Sequence, residues 1–367
     1  MSSIAEIVAR HRVVICAGGG GVGKTTTAAA LAVCGAEQGR RTMVMTIDPA
    51  RRLADALGLR DLGNGAHKVD IGGGALDAMM LDQKGAWDDL VERYAPTDEA
   101  RRRILANRFY QHLSESFAGS QEYMAIEQLA ELHASGRYDL IVVDTPPTRH
   151  ALDFLDAPQR IAGFLNRQVV RWFVKPYFSA GWSTLRVVNR AAGSVLRRLE
   201  DATGVKALVE ISDFFNSMSG LFDGFEARVQ TVDKLLHSKQ TAFVLVTSPE
   251  AQVLDEAEEF CRQLSELAVP LRAVVFNRVQ REALADWRRL DEDWLHELVG
   301  GVVRRGERAT HLIDNFLRYE TQARGDQLRM EAFRRQLAGR PVFAVVPNFE
   351  EDLHDVAGLR RMLPHLV

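Results

Sequence analysis

A chain of 367 residues, 46% of them hydrophobic and 26% charged, can build a large core but is too short for three average domains. A net charge of −3 provides no general basic surface, so no nucleic-acid partner is expected. Three cysteines (Cys16, Cys34, Cys261) with no Cys-x-x-Cys pair argue against a thiolate zinc site. No run of eighteen apolar residues is present to cross a membrane, and a cytoplasmic protein, at most peripheral at a membrane, is expected.

In chain order, Val13–Ala17 (VVICA) is an apolar run that predicts a buried strand. It stops at four glycines, and Gly18, four residues, Gly23, Lys24, Thr25 is the spacing of a phosphate-binding P-loop. Gly18, Gly20, Gly21, Val22 and Gly23 would wrap the backbone with its N–H groups inward, and the helix opened by Lys24, Thr25 and Thr26 points its positive dipole end at a polyphosphate. Lys24 would reach the β- and γ-phosphates and Thr25 would place its hydroxyl on Mg²⁺. The expected ligand is a nucleoside triphosphate.

A second strand, Thr42–Ile47, runs into Asp48 and Pro49, which puts a carboxylate on the ligand-binding edge of an open sheet and a proline at a helix start. Leu76–Asp82 reads as a third strand, and residues 83–137 as mostly helical, closing with a helix from Ser120 to Gly136. Asp139–Asp144 is a buried strand that ends in an acid, the arrangement by which P-loop proteins hold Mg²⁺ from the second side. Residues 158–239 interrupt the alternation with a long helical pattern. Strands at Ala242–Thr247, Leu271–Phe276 and Val342–Pro347 follow, with a helix from Pro249 to Leu267, a charged helical stretch and a closing helix between or after them. The expectation is α/β: a doubly wound, mainly parallel sheet of about seven strands with an inserted helical subdomain. The core would comprise residues 1–82, 138–157 and 240–367, and the subdomain residues 83–137 and 158–239.

The segments GGGGVGKTT, DPARRLADALG, DTPPTRHALDFL, VTSPEAQVLDEAEEF, FNRV and VPNFEEDLHDVAGL together resemble the arsenite-pump ATPases and the related cytosolic ATPases that deliver tail-anchored membrane proteins. The resemblance covers essentially the whole chain and is weakest in the helical insertion. It implies an ATP hydrolase with ATP and Mg²⁺ as cofactors. Asp48 would orient the attacking water and contribute to the metal site with Thr25 and Asp144. Asn277 and the segment from Pro347 would contact adenine. The residues themselves agree on the base, since Asn277-Arg278-Val279-Gln280 lacks the carboxylate that pairs with guanine.

Two departures stand out. The family places a second lysine one residue after the first P-loop glycine, where it acts across a dimer; here that residue is Gly19. Arg149 stands where relatives have glycine, and Arg51 and Arg52 follow the switch aspartate, so an arginine, with Arg149 foremost, or a paralogous partner subunit would supply the missing charge. The cysteines also fall outside the helical insertion, where metalloid-binding thiolates would lie.

Within the insertion, Arg160, Arg167, Arg171, Lys175, Arg186, Arg190, Arg197 and Arg198 occur with no acid among them, interleaved with Phe164, Trp172, Phe173, Tyr177, Phe178 and Trp182. That pattern suits an anionic membrane surface, an acidic partner or an amphipathic lid. A 3-4 apolar seam follows at Leu208, Ile211, Phe215, Met218, Phe222, Phe225, Val229, Val232 and Leu236, the spacing of helix packing or of a groove for an apolar helix. The expected protein is a Mg-dependent ATPase whose cycle rearranges a homodimer or a heterodimer with a paralogous subunit, together with the helical subdomain, to handle a hydrophobic or membrane-associated client. The alternative is the energising subunit of an arsenite or anion efflux pump.

Overall fold

A computed structural model describes residues 3–48, 50–62, 65–95, 97–116, 120–147, 230–283, 294–295, 307–337 and 341–366. The readings of Pro49, of Arg149, of the basic-aromatic run and of most of the apolar seam lie outside them. The chain divides into two compact units, one of Met1–Met79, Tyr138–Ala151 and Lys239–Val367, the other of Met80–Arg137 and Leu152–Ser238.

The first unit is built on one sheet. Its strands are β1 (Val13–Gly18), β2 (Arg41–Thr46), β3 (His67–Val69), β4 (Ala75–Met80), β5 (Leu140–Asp144), β6 (Thr241–Thr247), β7 (Leu271–Val279) and β8 (Val342–Pro347), in the order β3-β4-β2-β5-β1-β6-β7-β8. The pairs β1–β5, β1–β6, β2–β5, β6–β7 and β7–β8 are parallel, and β3–β4 is antiparallel. The sheet is mainly parallel as the sequence implied, and among the described residues it has eight strands, one more than the seven read from the sequence. The extra strand, β3, is three residues long, too short to show a period, and exists because His67, Lys68 and Val69 pair with Ala78, Asp77 and Leu76.

Every residue of β1, β5 and β6 is buried, as expected of parallel strands covered on both faces, which is why they read as continuous apolar runs. On leaving β1 the chain passes over β5 to reach β2, and it later returns from β5 past β1 to β6. The carboxyl end of β1 therefore lies at the reversal of strand order, where open α/β sheets bind ligands.

The helix Lys24–Glu37 that follows β1 buries Ala28, Ala29, Ala30, Leu31, Ala32, Val33 and Ala36. The helix after β2 spans Arg52–Ala56 and starts later than a Pro49 start would put it, because the Asp48 carboxylate accepts from Ala50 N–H (2.9 Å) and holds the chain in a turn first. β7 runs on to Val279 through an irregularity between Phe276 and Val279, with Arg278 in the left-handed region (φ 58°). The long helix Glu307–Gln336 brings Phe333 edge-on to Phe276, with ring centroids 5.7 Å apart.

In the second unit, helices Gln83–Tyr94 and Asp98–Ala106 start at side-chain caps from Asp82 to Gly85 N (3.0 Å) and from Thr97 to Ala100 N (3.1 Å). Helices Arg108–Ser116 and Ser120–Ser135 follow. Buried Tyr110 sets its ring edge-on to Trp87 (6.4 Å) and donates its hydroxyl to Asp88 Oδ1 (2.7 Å), an oxygen that Lys84 also engages. Val232 and Leu236, the described residues of the apolar seam, are both buried.

Candidate nucleotide site

The glycine loop owes its shape to two neighbours. A Cβ on Gly18 would lie 2.0 Å from the Val246 carbonyl oxygen of β6, so only glycine lets the loop leave the sheet there. Gly23 has φ 90°, and a Cβ on it would lie 2.3 Å from Asn277 Nδ2. Asn277 is buried and donates that nitrogen to the Val22 carbonyl (2.8 Å), holding the loop from below. Gly20 and Gly21 are exposed at the tip, and Thr26 is half-buried on the helix.

Lys24 is buried, with Nζ donating to the Gly19 carbonyl (2.7 Å). Burial lowers its pKa; the Asp144 carboxylate and then Asp48 oppose that shift, while the Arg52 charge adds to it. Beside it, Thr25 Oγ1 donates to Asp144 Oδ2 (2.8 Å), and Thr46 Oγ1 donates to the same oxygen (2.9 Å). Strand register causes this meeting: Asp144 stands opposite Cys16 on one side and Thr46 on the other. The Thr145 hydroxyl donates to the Cys16 carbonyl (2.8 Å) and pins the end of β5 to β1.

Asp144 is 1% exposed, and its Oδ1 is buried without a hydrogen-bond partner. Burial pushes its pKa up to about 6, against the two threonine hydroxyls and Lys24, with Asp48 reinforcing the rise. A buried carboxylate oxygen with nothing to accept from, beside a threonine hydroxyl, is a hard-oxygen set that fits a Mg²⁺ ion.

Asp48 joins the same network. Its N–H donates to Thr46 Oγ1 (3.2 Å), its Oδ1 accepts from Ala50 N–H, and its Oδ2 faces Arg52 Nη1 at 3.4 Å. The structure therefore brings Lys24, Thr25, Asp48 and Asp144 together at the end of β1. Pro347 ends β8, three strands away in the sheet and opposite Val279 in register. Arg149 lies outside the described residues. Sequence reasoning missed Thr46 and the role of Asn277 beneath the loop. The signal for Thr46 was its place level with Asp144 on the neighbouring strand; nothing local marked Asn277 as a P-loop support.

A central parallel strand that opens into a glycine loop, with a lysine, a threonine and an acid from the adjacent strand gathered there, defines a P-loop nucleoside triphosphatase. The family described as anion-transporting ATPase matches residues 11–298. The chain belongs to that family and is an ATPase. It is 27% identical over 266 residues to ATPase GET3 of Malassezia globosa, spanning 72% of each chain. It is 29% identical over 263 residues to ATPase GET3 of Podospora anserina, with 71% of each chain covered. Protein Rv2184c of Mycobacterium tuberculosis is 36% identical over 174 residues, 43% of this chain and 40% of that one. Among the described residues no helix is long and apolar enough to cross a membrane.

Proposed function

We propose that the chain hydrolyses ATP with Mg²⁺ in a cycle that opens and closes a dimer and moves the helical unit, so as to handle a hydrophobic or membrane-associated client. The observation that carries the Mg²⁺ part is Asp144, held through one oxygen by Thr25 and Thr46 and left with the other buried and unpartnered. In this reading Thr25 and Asp144, with Asp48 close by, hold the metal. The metal, when bound, neutralises charge on the phosphates. Lys24 leaves the Gly19 carbonyl for the phosphates, drawn by a charge larger than a carbonyl dipole. Asp48 orients the attacking water, and loss of the γ-phosphate relaxes the segments after β2 and β5. Asn277 and the Pro347 segment border the base.

Dimer formation, as a homodimer or with a paralogous subunit, and the client rest on the family resemblance and on the basic-aromatic and apolar patterns of residues 158–239. The pump alternative finds little support in the cysteines. Burial raises the pKa of all three thiols, that of Cys261 to about 12, which disfavours the thiolate a soft ion needs. Among the described residues no three His, Cys, Asp or Glu side chains are grouped to hold a metal.

The test is ATP turnover by the wild-type chain and by Asp48→Asn, each with Mg²⁺ and with chelator, followed by capture of the Asp48→Asn form in ATP. Turnover that needs Mg²⁺ and collapses in Asp48→Asn supports the reading, as does retention of a second subunit and an apolar passenger. Turnover indifferent to Asp48→Asn sinks it.

A further inference from the structure

Glycine at position 19 raises the question of which cation on this chain meets the charge that spreads over a transferred phosphoryl group. Space does not forbid a side chain at Gly19: a Cβ there would sit 3.6 Å from Glu256 Oε2 and 3.6 Å from Val22 Cγ1, ordinary contacts. Of the arginines beside the nucleotide segments, Arg51 turns to Asp61 at 4.0 Å, and Arg149 lies outside the described residues. Arg52 instead pairs with Asp48 Oδ2 at 3.4 Å. Its guanidinium thus ends a continuous chain of contacts from Thr25 through Asp144, Thr46 and Asp48, and its charge reaches Lys24. The Arg52 side chain is 65% exposed, so it can turn without breaking a buried contact.

We propose that Arg52 is a phosphate-contacting arginine acting within its own chain, and that its pair with Asp48 is the resting position of that group. With the pair made, both Asp48 oxygens are engaged, Oδ1 by Ala50 N–H and Oδ2 by Arg52. A triphosphate on the P-loop presents more negative charge than one carboxylate and matches the planar guanidinium fork, whereas a single ion pair with an exposed arginine and a half-buried Asp48 holds only weakly. Arg52 therefore moves to the γ-phosphate oxygens. That movement supplies the charge absent at Gly19 and releases Asp48 Oδ2 to accept a hydrogen bond from the attacking water. Water then adds to the γ-phosphorus as the β–γ bridging P–O bond breaks; the bridging oxygen leaves with the bond's electron pair on ADP, both water protons stay on the released inorganic phosphate, and Arg52 exchanges no proton. The inference rests on the reading of Asp48 as the water-orienting residue.

The experiment titrates the full-length chain with ADP and with ADP plus fluoroaluminate in Mg²⁺, for wild type, Arg52→Ala, Arg52→Lys, Arg51→Ala and Asp48→Asn, alongside turnover. Arg52→Ala should bind ADP within about twofold of wild type but bind ADP–fluoroaluminate roughly 10- to 100-fold more weakly, the size of one charge-assisted hydrogen bond. Arg52→Lys should fall between, and Arg51→Ala should match wild type. Unchanged thermal midpoints would show that the exposed substitutions leave the fold intact. Arg52→Ala binding the analogue like wild type overturns the proposal, as does an equal loss in Arg51→Ala. A wild-type chain that gains nothing from fluoroaluminate over ADP also overturns it, because an arginine acting within its own chain needs no second subunit. If Asp48→Asn keeps wild-type turnover, the reading of Asp48 falls, and the role of Arg52 as its release falls with it. If Asp48→Asn is inactive while Arg52→Ala is normal, the Arg52 proposal alone falls.

Discussion

Replacing Asp144 by asparagine should make the metal-free protein more stable at alkaline pH while removing its response to Mg²⁺. The carboxyl is buried, with a pKa of about 6 against an ordinary 3.8. For an acid, a raised folded-state pKa means that folding favours the protonated form, so the ionised group opposes folding at pH values above 6. The rise from 3.8 to about 6 amounts to about 3 kcal/mol of opposition at pH 8, at about 1.4 kcal/mol for each tenfold change in proton affinity. This opposition declines as pH falls through 6 and is gone below about 4. Asparagine keeps one oxygen for the Thr25 and Thr46 hydroxyls and places a neutral N–H₂ where Oδ1 has no partner. That unpaired amide returns about 1 kcal/mol or more, which leaves a net gain of about 1–2 kcal/mol at pH 8. Urea unfolding with chelator at pH 8 and pH 5 measures the difference, which should shrink at the lower pH. Mg·ATP should then raise the wild-type midpoint by mass action and leave that of Asp144→Asn nearly unchanged. An Asp144→Asn chain less stable than wild type at pH 8 would refute the claim that this charge is held against its own solvation.

Three further outcomes follow from the same geometry. Lys24→Met should fold at least as stably as wild type near neutral pH, because burial already disfavours the ammonium, yet lose turnover by roughly 10³-fold or more; a stable chain with intact hydrolysis would count against the P-loop assignment. Gly18→Ala should be worse than Gly23→Ala, since the first meets a backbone carbonyl that cannot step aside and the second meets the Asn277 side chain. Denaturation should show about 2–4 kcal/mol lost for Gly23→Ala, with part of it recovered in the double variant with Asn277→Ala. In the helical unit, Tyr110→Phe should cost about 1–2 kcal/mol through the lost Asp88 hydrogen bond, and Tyr110→Ala about 3–5 kcal/mol through the cavity beside Trp87; equal costs would mean that packing against Trp87 contributes nothing.

Much of the site was legible from local pattern. An apolar run ending in glycines with Lys24 and Thr25 behind them, one strand that runs into Asp48 and another that ends in Asp144 declare themselves because a strand tip and a helix start are encoded within a few residues. The strand β3 was not legible, because three residues carry no period and become a strand only when β4 pairs with them. The Asp48 turn hid in the same way: proline suggested an immediate helix, while the carboxylate closing on Ala50 N–H delayed it to Arg52.

By itself the sequence determined the anion-binding loop, the parallel α/β plan and the acids at the strand ends, since hydrophobic runs and loop chemistry depend on neighbours in the chain. The tertiary structure alone decided what surrounds those acids: Thr46 level with Asp144, Asn277 under the loop, and Arg52 rather than Arg51 turned to Asp48. Those contacts join residues on different strands or set the direction of an exposed side chain, and register and rotamer are settled only when the sheet packs.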